Sequence, residues 1–441
     1  MLAPKADWKL VANGLQKGSP DADRQNWDLG NFEDMFRKVY AHESLSGCVL
    51  WDFETTPKIS SYIYNLCAGD FDVIVNERAD KPTPMRIFVR NSKKDYVDAD
   101  MTFRVITEGM DFYRDLFDQV FPFDKYDIIF CPEFRINAME NVGAITFSDH
   151  HLVPLNEQDN VKQHFIYHVH LHELAHMWFG DLTTMVWWND LWLKESFADF
   201  CCAISFKERV KSLDPEMFAD ADECWNDFYS LALEADCKPS THPISQEIKH
   251  TGDAASTFDE ISYRKGATWL KVLDNFLGRE VLKIAIQKYV RKFSFKNAVL
   301  EDMIDCFQDA QHQANPKSSL DLKSWTDSWL KHKGPNVLEV STILDAEGNC
   351  TELGIKQFFH ENADQICRAQ LVNLCVVVSE KGGEPRYLKE PVTITGEYTK
   401  ASMVLKGMKV LAAIPNYDNL GYCQVKLDPD TLDFLSKNIQ N

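Results

Sequence analysis

The stretch His172-Glu173-Leu174-Ala175-His176, with Glu195 nineteen positions beyond the second histidine, decides how this chain is read. Its surroundings predict a helix over residues 161–179. Residues four apart on a helix share a face, roughly 5–6 Å apart at Cβ, so His172 and His176 can chelate one ion. Glu173, one position on, points about a third of a turn away and can reach an attacking water without ligating the metal. A second helix, beginning near residues 189–190 and running through residue 199, carries Glu195 as a candidate third ligand. That leaves a fourth position open to water. Between the helices, Trp178, Phe179, Trp187, Trp188 and Trp192 are expected to pack the two together and exclude water. A second reading stands beside this one: paired histidines on a partly exposed helix face, with Glu195 an ordinary first-turn carboxylate. His164, His168 and His170, upstream in the same helix, read as non-ligands.

Outward from that stretch, the hydrophobic period divides the 441 residues into three zones. Residues 1–68 mix short strand-like runs with turn signals at Asn13-Gly14 and Gly18-Ser19-Pro20, a β-rich portion too short for a sandwich of its own. Residues 71–75 and 85–89 read as strands, 97–120 as a helix, and 127–131 as a strand leading into residues 137–141. Helices dominate from residue 160 to about 331. After Gly334-Pro335 the pattern alternates, with turns at Glu347-Gly348-Asn349 and Lys381-Gly382-Gly383. Strands are expected at 337–344, 369–379, 391–394, 401–405, 409–414 and 423–427, so that a small β-sandwich closes an α+β multidomain chain.

Charge narrows the partners. With 47 Lys and Arg against 67 Asp and Glu, a formal charge of −20 repels phosphate backbones and anionic membranes alike, and nucleic acid is not an expected partner. No window approaches 18 uninterrupted apolar residues and residues 1–10 lack an apolar targeting core, so no direct membrane insertion is expected. The twelve cysteines show no short repeated spacing. They read as free thiols, buried at Cys201 and Cys202, in a reducing and hence cytoplasmic setting.

Over most of its length the sequence resembles the gluzincin zinc aminopeptidases, of the aminopeptidase N and puromycin-sensitive aminopeptidase type. The residues that carry the likeness are His172 to Glu195, Trp178-Phe179-Gly180-Asp181-Leu182-Thr183, and Trp187-Trp188-Asn189-Asp190-Leu191-Trp192-Leu193. Upstream, Asn137-Ala138-Met139-Glu140-Asn141 is similar to the family's Gly-x-Met-Glu-Asn signature. Downstream, residues 258–267, around Tyr263, resemble its tyrosine motif. The resemblance implies one zinc per chain on His172, His176 and Glu195, with Glu173 as the base. It implies that Tyr263 donates its hydroxyl to the developing oxyanion. Ala138, Met139, Glu140 and Asn141 would bind substrate, Glu140 pairing with the α-ammonium of a peptide with a free amino terminus. It further implies a thermolysin-like catalytic domain at 69–332, the closing part of an N-terminal β-domain at 1–68, and the β-sandwich at 333–441.

Departures from the family pattern are specific. Asn137 replaces a glycine, and Lys194 and Ser196 flank Glu195 where Asn and Gly are usual. Cys202 stands where a glutamate commonly orients a zinc histidine, a task that Asp199, on nearly the same helical face, can take. Residues 1–68 correspond to only part of a domain, so the expectation is a larger assembly or another chain that completes the N-terminal and C-terminal regions, a split protein, or an incompletely represented chain. The resulting expectation is hydrolysis of amino-terminal residues from peptides by a zinc-activated water. The alternative is a catalytically impaired member serving as a structural or binding subunit. An epoxide hydrolase reading is weakened by the β-sandwich after Gly334, which that branch lacks.

Overall fold

The computed structural model describes residues 1–3, 5, 7–21, 48–77, 83–157, 159–218, 224–380, 383–405 and 407–438. Residues Lys381 and Gly382 of the expected turn lie outside them. The chain divides into two compact units. The first comprises Met1–Thr184, Glu208–Ala219 and Ser294–Lys296; the second comprises Met185–Lys207, Asp220–Phe293 and Asn297–Asn441.

In the first unit, β1 (Lys9–Ala12) pairs antiparallel with β2 (Leu66–Gly69). A five-stranded sheet follows, built from β3 (Asp72–Val75), β4 (Met85–Val89), β5 (Tyr126–Cys131), β6 (Ala138–Met139) and β7 (Ala144–Ser148) in the order β3-β4-β5-β7-β6. β4, β5 and β7 run parallel while the two edges are antiparallel. Parallel strands are covered on both faces, and Ile128, Ile129, Ala144 and Ile145 are accordingly fully buried. Helix α1 (Ala99–Phe117) starts where the Asp98 carboxylate accepts Met101 N–H, and α2 (Asn160–His176) where Asp159 accepts Lys162 N–H. α1 packs on α2, and the Tyr113 hydroxyl donates to the Leu171 carbonyl at 3.0 Å, one residue before His172. Gln16–Asp21 is a strand, so the Gly18-Ser19-Pro20 turn signal fails there. It pairs with Val49–Phe53 in irregular register, an edge position that tolerates a proline.

The second unit contains α3 (Trp192–Glu208), α4 (Cys224–Asp236), a π-helical turn (Ile261–Lys265), α5 (Gly266–Leu277), α6 (Arg279–Phe293), α7 (Leu300–Ala314) and α8 (Leu322–Leu330). Then come β8 (Asn336–Leu344), β9 (Cys350–Phe359), β10 (Gln370–Ser379), β11 (Arg386–Ile394), β12 (Tyr398–Lys400), β13 (Lys409–Pro415) and β14 (Gln424–Lys426). They form two sheets, β12-β9-β8-β14 and β11-β10-β13. Leu338, Ile355, Val372, Val376 and Ile394 from the two sheets share one buried core.

Three expectations are corrected here. Residues 401–405 form no strand: after Ala401 N–H donates to the Leu353 carbonyl at 2.9 Å, Ala401 and Leu405 fill the core between the sheets, and that burial produced their apolar pattern. β9 is a full strand absent from the sequence reading, because Gly354 breaks its run. The described chain closes on helix α9 (Pro429–Asn438), not on a strand.

Candidate metal centre

The two histidines of α2 present their rings toward each other. Their Nε2 atoms are 3.0 Å apart, and His176 Nδ1 lies 2.9 Å from the Phe179 carbonyl. A carbonyl only accepts, so Nδ1 carries the proton and Nε2 of the neutral ring carries a lone pair, the tautomer a metal takes. His172, His176 and Glu195 each offer one donor atom, and the three atoms lie within 4.8 Å of one another. Two imidazole nitrogens and a carboxylate oxygen form a donor set that suits zinc, so the residues fit that ion. His176 and Glu195 are buried and His172 is half-buried.

Glu173 is buried beside Tyr126. Burial first, then the charges of Glu173 and Asp181, push the Tyr126 phenol far above its ordinary range, so it stays protonated. His170 meets Phe147 at 4.4 Å between ring centres, and burial drives it down to about 3. It is a neutral core ring. The aromatic run serves two cores. Trp178 packs on Tyr113 and Phe117 of α1, while Trp192 meets Trp269 at 5.6 Å and Trp187 is exposed.

Glu140, buried, lies just past edge strand β6, in whose two residues, Ala138 and Met139, the expected substrate segment begins. Asn141 follows it and accepts the Thr146 hydroxyl at 3.0 Å. In the second unit, Tyr263 is half-buried in the π-helical turn. Asp259 caps that turn, its Oδ1 accepting Ile261 and Ser262 N–H at 3.0 and 3.2 Å, while its Oδ2 meets His242 Nε2 at 2.8 Å. The Ser196 hydroxyl donates to the Ser262 carbonyl at 2.7 Å, and Arg264 Nη1 donates to Asp199 at 2.7 Å. The helix that carries Glu195 and the turn that carries Tyr263 are thereby tied at two points.

A family model described as the peptidase family M1 domain matches residues 101–329, more than half of the chain. The chain belongs to peptidase family M1. It is 33% identical over 401 residues to an aminopeptidase N of Streptomyces lividans, covering 88% of this chain and 45% of that one. It is 31% identical over 398 residues to a probable aminopeptidase 1 of Saccharolobus solfataricus, covering 90% and 46%. With a Tricorn protease-interacting factor F2 of Thermoplasma volcanium it shares 28% over 388 residues, covering 87% and 44%. The chain thus spans about half the length of these M1 relatives.

The M1 departures take on definite forms. Asn137 is exposed and its φ lies outside the left-handed region, so the backbone asks for no glycine there. Lys194 does not reach solvent: it is buried, its ammonium pairs with one Glu195 oxygen, and it lies 5.7 Å from the centre of the Phe258 ring. His242 and Arg264 went unnoticed in the sequence as parts of the Tyr263 turn. Arg264 stood inside the quoted motif and could have been found there, whereas His242 lies 17 positions from Asp259 with no spacing signal.

Proposed function

We propose that this M1 chain removes amino-terminal residues from peptides, using one zinc held by His172, His176 and Glu195. The convergence of three donor atoms within 4.8 Å, on residues that match the family's spacing, carries the proposal. Zinc, when bound, supplies Lewis acidity to the scissile carbonyl and lowers the pKa of water. The remaining work belongs to side chains. Glu173 takes a proton from the attacking water and returns it to the departing amine. The Tyr263 hydroxyl donates to the oxyanion as charge builds on the carbonyl oxygen. Glu140 pairs with the substrate's α-ammonium, setting the distance from amino terminus to scissile bond, with Ala138, Met139 and Asn141 lining the peptide backbone. Asp199, one turn after Glu195 and already fixed through one oxygen by Arg264, is the carboxylate we assign to orienting a ligand histidine.

At the level of domains, residues 69–332 are proposed as the thermolysin-like catalytic part. Residues 1–68 and 333–441 flank it as a β-domain portion and a β-sandwich. The twelve free cysteines favour a reducing, cytoplasmic setting. Among the described residues no helix is long and apolar enough to cross a membrane.

The test pairs metal analysis with release of a fluorophore from aminoacyl substrates. Glu173→Gln is expected to keep its zinc while kcat falls on the order of 10²–10⁴-fold. Zinc without turnover in the native chain, unchanged by that substitution, would favour the structural-subunit alternative.

A further inference from the structure

We infer that Asn13, together with Asn65, positions Glu140, and that the amino-terminal strand pair is therefore part of the substrate-anchoring apparatus. The inference rests on the proposed role of Glu140 as partner of the α-ammonium. Glu140 lies between edge strand β6 and the turn that returns the chain into β7. Across that turn and the first residue of β7, three successive carbonyls each accept a side-chain donor from elsewhere in the first unit. Val142 O takes Asn13 Nδ2 at 2.9 Å, Gly143 O takes Lys125 Nζ at 2.6 Å, and Ala144 O takes Asn65 Nδ2 at 2.7 Å.

Asn13 is itself held at three points. Its amide also donates to Ile63 O at 3.0 Å, and its Oδ1 accepts Asn65 N–H at 2.8 Å, so the two asparagines act as one clasp. The strand pairing puts them side by side: in the β1–β2 ladder Ala12 opposes Leu66, and Asn13 and Asn65 are the next residues along each strand. Val11, two residues before Asn13, packs in a common core with Phe88, Ile129 and Ala144, which fixes the clasp to the sheet. Gly143 marks how close the approach is. Its φ is +62°, and a Cβ there would lie 3.0 Å from Asn13 O and 3.1 Å from Lys125 O. A buried asparagine with both amide hydrogens and its amide oxygen engaged is held in one rotamer, and the turn it grips inherits that rigidity. The carboxylate two residues before Val142 is held where the grip puts it.

The test is a double-mutant cycle on kcat/KM for an aminoacyl-anilide, with zinc content and near-ultraviolet circular dichroism as checks on the fold. Asn13→Ala is expected to lower kcat/KM on the order of tenfold in the native background, because displacement of an anchoring group by a fraction of an ångström is costly. In the Glu140→Gln background the same substitution is expected to cost no more than about twofold, since its target is already disabled. A full tenfold loss in both backgrounds would show that Asn13 acts on the fold or the metal, and would overturn the inference. So would an Asn13→Ala enzyme of unchanged activity. If Asn13→Ala fails to fold, Asn65→Ala, at a partly exposed position, is carried through the same cycle under the same criteria. Unchanged kcat/KM in Glu140→Gln alone, or no turnover by the native chain, would instead overturn the reading of Glu140 and the inference with it.

Discussion

Two imidazole nitrogens 3.0 Å apart, one of them a lone pair because its ring partner donates to the Phe179 carbonyl, form an arrangement that a cation stabilises. Glu195 brings the negative charge such a cation requires, and Lys194 competes for it from the adjacent position. Its buried ammonium already holds one carboxylate oxygen, so a metal must share Glu195 with a fixed positive charge. Lys194→Asn is therefore expected to tighten zinc on the order of tenfold, measured by chelator competition. Unchanged affinity would mean that Lys194 does not oppose the metal. The sequence displayed the departure at Lys194 plainly, but one letter does not say whether a lysine beside a ligand turns inward. Burial decided it.

At the scale of elements, the π-helical turn of Tyr263 depends on its neighbours. A Cβ on Gly266 would lie 1.8 Å from the Ser196 hydroxyl, so the glycine lets α5 approach α3. Gly266→Ala is expected to cost about 1–3 kcal/mol in denaturant unfolding, with Ser196→Gly restoring part of the loss. Additive losses in the double variant would argue against that contact. The His242–Asp259 pair gives the same turn a pH dependence. His242 loses by burial but gains more from Asp259 and the Pro243 carbonyl, and its pKa is raised. Its contribution is complete below an unfolded value of about 6.5 and is lost as pH rises through the folded value. Asp259 also loses by burial, yet His242 and two backbone N–H groups hold it low. Its contribution is present above about 3.9 and is lost as pH falls through the folded value. The unfolding temperature of the native chain should exceed that of His242→Gln most at about pH 5–6, and the gap should close toward about pH 9. A constant gap would remove the ion pair from the account. Such links are opaque to periodicity. α9 was missed although it carried a local signal in Asp428-Pro429, an N-cap and first-turn proline, with Asp428 accepting Thr431 N–H at 2.9 Å.

Across the whole molecule, the sequence was most informative where one element supplies its own pattern. β4, α1, β5 and α2 fall within a few residues of their expected bounds, since period and capping residues are local. It was least informative where residues far apart in the chain meet. Nothing near Asn13 points to Val142, 129 positions away, and nothing near Asp236 announces that Lys265, Thr241, Gly334 and Tyr422 all converge on its carboxylate. The candidate metal ligands were legible because the family's spacing compresses a three-dimensional requirement into a short stretch of text. The central claim is best tested by the zinc content of native and Glu195→Gln protein, each purified without chelator. The account predicts close to one zinc per native chain and its loss from the variant; a native chain without zinc, or a variant that retains it in full, would contradict it.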